Sequence, residues 1–242
     1  MALRLLIGNW KMNQTKACTV SLLNQFAQAN FFNCEVVLCV PFVFFSLASD
    51  FLFGSSIKLG AQNCHHEEFG AYTGSISALM IKEFGCEYVI VGHSECRKYL
   101  KEDGNVINKK LQVILKHNLK PILCIGADLH VDLENFESAV LMPLKTELCG
   151  IPPDLRSKIV IAFEPNWAIN SVHAAPITVV ARVVSDIANL FGDSVPPIIY
   201  GGSVTSSNAL EFLALPNLGG LLLGRASLDF FEFAKIAELF EI

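Results

Sequence analysis

The chain has 242 residues, 52% of them apolar and 17% charged, with a mean hydropathy of +0.45. Eighteen Lys and Arg against 23 Asp and Glu leave a net charge of −5. This excludes a disordered chain, which buries too little apolar surface to fold, and shows none of the basic excess of a nucleic-acid binder.

The first apolar run, Arg4–Gly8, reads as a strand and delivers Asn9 and Lys11 at its end. The opening MALRLLIGNW is too short for a signal peptide, because Gly8 and Asn9 interrupt it. Lys16–Ala29 follows with helical spacing, then a second strand, Val36–Val40. That strand opens the most apolar stretch, Val36–Phe53, which is broken by Pro41 and made amphipathic by Ser46, Ser49 and Asp50. A membrane-spanning helix needs about 20 mostly apolar residues, so a buried strand followed by a core-facing helix is expected, with no membrane partner. Ile57–Ala61 is a third strand. Beyond it, Cys64, His65, His66, Glu67 and Glu68 are adjacent in the chain, and adjacent side chains rarely converge on one ion, so no metal is expected.

Tyr88–Val91 is a fourth strand and delivers His93, Ser94 and Glu95. A helix is predicted over Asn105–His117 and strands over Pro121–Ile125 and Ile159–Phe163, the latter delivering Glu164. Ile177–Phe191 carries Ile177, Val180, Ala181 and Val184 on one helical stripe. Pro197–Tyr200 leads into Gly201, Gly202 and Ser203, and Gly219–Leu223 leads into Gly224 and a helix predicted over Ser227–Phe240.

These apolar runs are continuous rather than alternating, as in strands buried on both faces. Strand and helix alternate about eight times, which is the arithmetic of an α/β fold of the (β/α)8 barrel kind, in a single domain over residues 1–242. The rival is a doubly wound open sheet, which normally carries GxGxxG after its first strand. Neither that motif nor a Walker-type loop is present. The eight cysteines form no CxxC pair, and a disulfide scaffold is not expected at this length, so the expected compartment is reducing and cytoplasmic. Cys39 and Cys124 lie inside apolar runs and read as small hydrophobes.

Barrel active sites lie at the C-terminal strand ends, so the polar residues that follow the runs should share one rim. Taken singly, Lys11 could be a solvated charge, His93 a structural imidazole, Glu164 the start of a loop and Gly201-Gly202 a tight turn. Together they supply a base, an imidazole, a cation and two turns whose bare N–H groups suit a phosphate. A carboxylate can abstract a proton beside a carbonyl while imidazole and ammonium stabilise the enediolate oxygen. That chemistry needs neither metal nor cofactor.

GNWKMN (Gly8–Asn13), GAQN (Gly60–Asn63), GAYTG (Gly70–Gly74), VGHSE (Val91–Glu95), CIG (Cys124–Gly126), FEPNWAI (Phe163–Ile169) and YGGSV (Tyr200–Val204) occur in this order. In these segments the chain resembles the triosephosphate isomerase family along essentially its whole length. The resemblance implies a TIM barrel and a glycolytic isomerase of dihydroxyacetone phosphate and D-glyceraldehyde 3-phosphate. It implies that Glu164 is the base, His93 the neutral electrophile, Lys11 and Asn9 the oxyanion and positioning groups, and Glu95 a supporting carboxylate. It places the phosphate on N–H groups of Asn170, Ser203, Gly224 and Arg225. It also implies a homodimer, with the loop around Thr73 reaching the partner's Asn9 and Lys11.

The chain departs from the family pattern at Cys96 (usually Arg), Ser75 (usually Glu) and Arg225 (usually Gly). Asn170, Val172 and His173 stand where the lid usually has two glycines and a lysine. Two other readings are a weakened barrel kept as a binding protein and an isomerase of another phosphorylated sugar. Intact Asn9, Lys11, His93 and Glu164 oppose the first, and FEPNWAI with YGGS opposes the second. A lid without glycine should close at a cost of roughly 1–3 kcal/mol if position 172 must take positive φ. Restoring glycine at 170 and 172 should then tighten binding of phosphate-bearing inhibitors and reduce phosphate elimination. Equal inhibition constants for the two proteins would show that Val172 carries no strain.

Overall fold

The computed structural model describes residues 4–126, 137–169, 171 and 173–241. Eight parallel strands form one closed barrel in chain order. They are β1 (Leu5–Asn9), β2 (Glu35–Val40), β3 (Lys58–Ala61), β4 (Cys86–Val91), β5 (Lys120–Ile125), β6 (Val160–Phe163), β7 (Ile198–Gly201) and β8 (Leu218–Leu223). Closure is made by β8 pairing with β1, Leu5 opposite Gly220 and Gly8 opposite Leu223. The open-sheet alternative is thereby removed.

The helices around the barrel are α1 (Lys16–Gln28), α2 (Phe45–Leu52), α3 (Ala78–Glu83), α4 (Ser94–Tyr99), α5 (Gly104–Lys116), α6 (Met142–Glu147), α7 (Pro153–Arg156), α8 (Ile177–Phe191), α9 (Ala209–Leu213) and α10 (Phe230–Glu238). Within the strands, residues such as Leu5, Ile7, Val37, Tyr88, Ile122 and Ile199 fill the barrel interior. Their neighbours, such as Leu6, Leu38, Val89, Leu123, Ile161 and Leu221, join the layer beneath the helices. Both faces are dry, which is why the sequence runs do not alternate.

The stretch Val36–Phe53 divides at Pro41 into β2, a 3-10 turn over Phe42–Phe44 and α2, which buries Phe45, Ala48 and Leu52. Among the described residues no helix is long and apolar enough to cross a membrane. The last helix is shorter than its apolar pattern suggests. Arg225–Leu228 is a 3-10 turn, and Asp229 caps α10 by accepting the N–H groups of Phe231 (2.9 Å) and Glu232 (3.1 Å). An Asp cap inside a continuous apolar pattern restarts the helix there.

The N-terminal end of the barrel is closed by a polar plug. The buried Tyr88 hydroxyl donates to the Glu35 carboxylate, and Lys120 Nζ donates to Tyr88 Oη at 3.0 Å. Desolvation, then the bond to Glu35, raises the Tyr88 pKa, so the phenol stays protonated.

All eight cysteines are free. Burial pushes the Cys34, Cys64 and Cys86 thiols up to about 12 and Cys96 up to about 11. The enclosed Cys39 and Cys124 thiols are also raised well above their ordinary value, first by burial. Since the thiolate is the nucleophile, iodoacetamide near neutral pH should alkylate the exposed Cys18 and Cys149 and spare the other six. Peptide mass spectrometry reads this directly, and equal labelling of Cys64 or Cys124 would contradict it.

Candidate active site

At the end of β1, Asn9 is buried and its Oδ1 accepts the Lys11 N–H at 3.0 Å. Lys11 has φ +52°, a left-handed conformation that typically costs about 1–3 kcal/mol and persists only where its surroundings hold it. Here Gln62 Nε2 donates to Lys11 O at 3.0 Å, and Lys11 Nζ donates to Glu95 Oε1 at 2.8 Å. The ammonium is thus pinned at the rim by a carboxylate from the β4 side.

After β4 the chain turns at Gly92, and His93 caps α4. The Glu95 N–H donates to His93 Nδ1 at 3.2 Å. A nitrogen that accepts cannot carry the proton, so this bond places it on Nε2. After β6, Glu164 is anchored by its N–H donating to Ile125 O at 2.8 Å. Its Oε2 stands 3.6 Å from His93 Nε2. Both atoms are buried, and neither has a hydrogen-bond partner among the described residues. Buried polar atoms left unpaired are rare in structural positions; two that face each other across a short gap mark where a ligand supplies the missing partners.

Glu164 owes its position to missing side chains. A Cβ on Gly201 would stand 2.9 Å from both Cγ and Oε1 of Glu164, and one on Gly126 would overlap the Glu164 carbonyl. Beneath the carboxylate lies Cys124. Its thiol is raised first by burial and then by the charge of, and hydrogen bond to, Glu164. The reading of Cys124 as a plain small hydrophobe is therefore incomplete: it also touches the carboxylate.

The glycine turns after β7 and β8 bring Ser203, Gly224 and Arg225 to a cavity of about 490 Å³ that also contains Asn9, Lys11 and Glu164. Ser203 has φ +48°. Its hydroxyl lies 2.9 Å from the Ala168 carbonyl and 2.7 Å from that of Ser171, so the side chain holds the segment after Glu164. The Ala175 N–H donates to Tyr200 Oη at 2.9 Å, and Tyr200 Oη donates to Gly202 O at 3.0 Å. Asn170 and Val172 lie outside the described residues.

A second cavity, of about 570 Å³, shares Asn9 and Lys11 and is lined by His93, Glu95, Thr73 and Cys96. Thr73 is exposed. In the Cys64–Glu68 segment the side chains do not converge on one point. His65 stacks on His66 and Tyr72, while Glu68 pairs with Lys116 and His117. No group of three or more His, Cys, Asp or Glu among the described residues could hold a metal ion.

A family model described as triosephosphate isomerase matches residues 4–240. The chain belongs to the triosephosphate isomerase family. The triosephosphate isomerase of Alkaliphilus oremlandii is 41% identical over 244 residues, covering 96% of this chain and 97% of that protein. The triosephosphate isomerase of Aquifex aeolicus is 40% identical over 246 residues, covering 98% and 99%. The crystal structure of triosephosphate isomerase from Bartonella henselae matches with a TM-score of 0.85 at 35% identity, covering 99% of both chains. The closed barrel is that family's fold, and the chain is an isomerase.

Sequence reasoning missed the contacts of Gly201, Gln62 and Cys124. Of these, the CIG segment flagged the position of Cys124, and the glycine turn flagged Gly201 for phosphate rather than for the carboxylate it accommodates. Gly201→Ala should displace Glu164. A misplacement near 1 Å can cost about 100-fold, so turnover of this variant should fall towards that range. Steady-state kinetics on the folded variant check this, and parental turnover would show that Glu164 needs no such space.

Proposed function

We propose that the site interconverts dihydroxyacetone phosphate and D-glyceraldehyde 3-phosphate through an enediolate. The observation that carries this reading is the facing pair of unpaired buried atoms, Glu164 Oε2 and His93 Nε2. The Glu164 carboxylate takes a proton from the carbon beside the carbonyl. The freed electron pair forms the carbon–carbon double bond, and the carbonyl oxygen becomes anionic. The His93 Nε2–H and the Lys11 ammonium stabilise that oxygen, as preorganised donors do where charge develops. The hydroxyl proton of the adjacent carbon then passes to that oxygen by way of His93 Nε2. Return of the first proton from Glu164 to the former carbonyl carbon, as the adjacent oxygen forms the new carbonyl, completes the isomerisation. Asn9 fixes the Lys11 backbone, and Glu95 holds its ammonium. The N–H groups of Asn170, Ser203, Gly224 and Arg225 hold the phosphate, and neither metal nor cofactor is required.

The protein works in glycolysis in the cytoplasm, as a homodimer whose Thr73 loop reaches the partner's Asn9 and Lys11. What supports the dimer is exposed apolar surface: Met12, which lines the second cavity, is 97% exposed, and Phe69, four residues before Thr73, is 82% exposed. Apolar surface of this kind commonly marks an interface.

A coupled assay with D-glyceraldehyde 3-phosphate tests the activity, and absence of isomerisation overturns it. Glu164→Asp should keep the fold and lower turnover, because the carboxylate retreats by a methylene and misplacement of that order costs about 100-fold. Unchanged turnover would remove Glu164 from the role of base.

A further inference from the structure

Arg97 lies in α4, one turn beyond His93, and its own N–H donates to His93 O at 3.0 Å. Its guanidinium makes three further bonds. Nε donates to Gly92 O at 2.6 Å, Nη2 to Cys124 O at 2.9 Å, and Nη1 to Glu147 Oε1 at 2.6 Å. Gly92 is the residue before His93. Cys124 precedes Ile125, whose carbonyl accepts the Glu164 N–H. One planar fork therefore ties the end of β4, which carries the imidazole, to the end of β5, which anchors the carboxylate. Arg97 and Glu164 line a common small cavity of about 20 Å³, together with Gly92, Cys124, Gly126 and Asn166. Room for the fork comes from Gly92, where a Cβ would stand 2.7 Å from Nη2.

Glu147, the last residue of α6, is fully buried, and its Oε2 has no hydrogen-bond partner among the described residues. Among the described residues, Arg97 is the one cation paired with that side chain. A rigid fork that spans three acceptors is a task for Arg and not for Lys, which is a point charge on a flexible stem. We infer that Arg97, braced by Glu147, is a positioning residue for the proton transfer, fixing the gap between His93 Nε2 and Glu164 Oε2. The inference rests on the roles proposed above for His93 and Glu164. Arg97 touches no substrate; it acts through the strand ends.

The test uses Arg97→Ala, Arg97→Lys and Glu147→Gln, with kcat, KM and the unfolding midpoint measured on each. Loosening the strand ends should lower kcat of Arg97→Ala by roughly 10- to 100-fold with KM little changed. Added guanidinium ion should restore part of that kcat, whereas ammonium at equal ionic strength should not. Arg97→Lys keeps the charge without the fork and should remain slow, and Glu147→Gln should show a smaller loss of kcat at the parental KM. A lower midpoint with parental kcat would reduce the pair to a structural brace and overturn the inference, as would a rise in KM at constant kcat. If Arg97→Ala does not fold, Arg97→Lys decides: reduced kcat supports the role and parental kcat removes it. An inactive parent enzyme would instead overturn the proposed activity, which keeps the two failures distinct.

Discussion

A parallel sheet closed on itself and covered by helices leaves a polar side chain almost nowhere to go. The interior is packed by residues such as Leu5, Val37, Ile122 and Ile199, and the outer face lies under helices. Only the two ends remain. One is sealed by Tyr88 with Glu35 and Lys120. The other gathers every polar residue that follows a strand, so Asn9, Lys11, His93 and Glu164 meet although they span more than 150 residues of chain. Burying unpaired polar atoms is costly, and at this rim two of them, Glu164 Oε2 and His93 Nε2, face each other.

Backbone strain is found at the same rim. Lys11 and Ser203 both hold positive φ without being glycine. In each case neighbouring hydrogen bonds hold the conformation: Asn9, Gln62 and Glu95 around Lys11, and the carbonyls of Ala168 and Ser171 around the Ser203 hydroxyl. The consequence for Lys11 is an ammonium whose direction is fixed before any substrate arrives. The consequence for Ser203 is that its hydroxyl is engaged by the segment after Glu164, leaving its N–H as the group that can meet an anion.

The barrel was legible because its signal is local. A continuous apolar run names a strand buried on both faces, and the residue after it names the rim. The rim residues were legible for the same reason, since each lies within a few residues of a strand end. What was not legible depends on contacts between distant parts of the chain. Arg97 looks like any charged residue in a short helix, yet its acceptors are residues 92, 124 and 147. Gly201 reads as a phosphate turn, because nothing in the local sequence shows that Glu164 lies against it. The start of α10 was missed because a single Asp cap sits inside a pattern whose apolar spacing continues on both sides.

The thiol at position 96 can be understood through charge rather than shape. Lys110 Nζ donates to Glu102 Oε1 at 2.6 Å and to Asn63 Oδ1 at 2.8 Å. Asn63 Nδ2 donates to the same Glu102 oxygen at 2.8 Å and approaches Cys96 Sγ at 3.6 Å. Glu102 and Lys110 are both buried, so neither could lose its partner without leaving an uncompensated charge. A thiol at position 96 adds none, because burial and the nearby Glu102 charge push it up to about 11 and keep it protonated. With Lys110 balancing Glu102, position 96 needs no cation to keep this cluster neutral. The neighbouring Glu95 is then free to pair with Lys11. A position beside the rim can in this way go without charge while the rim keeps its geometry.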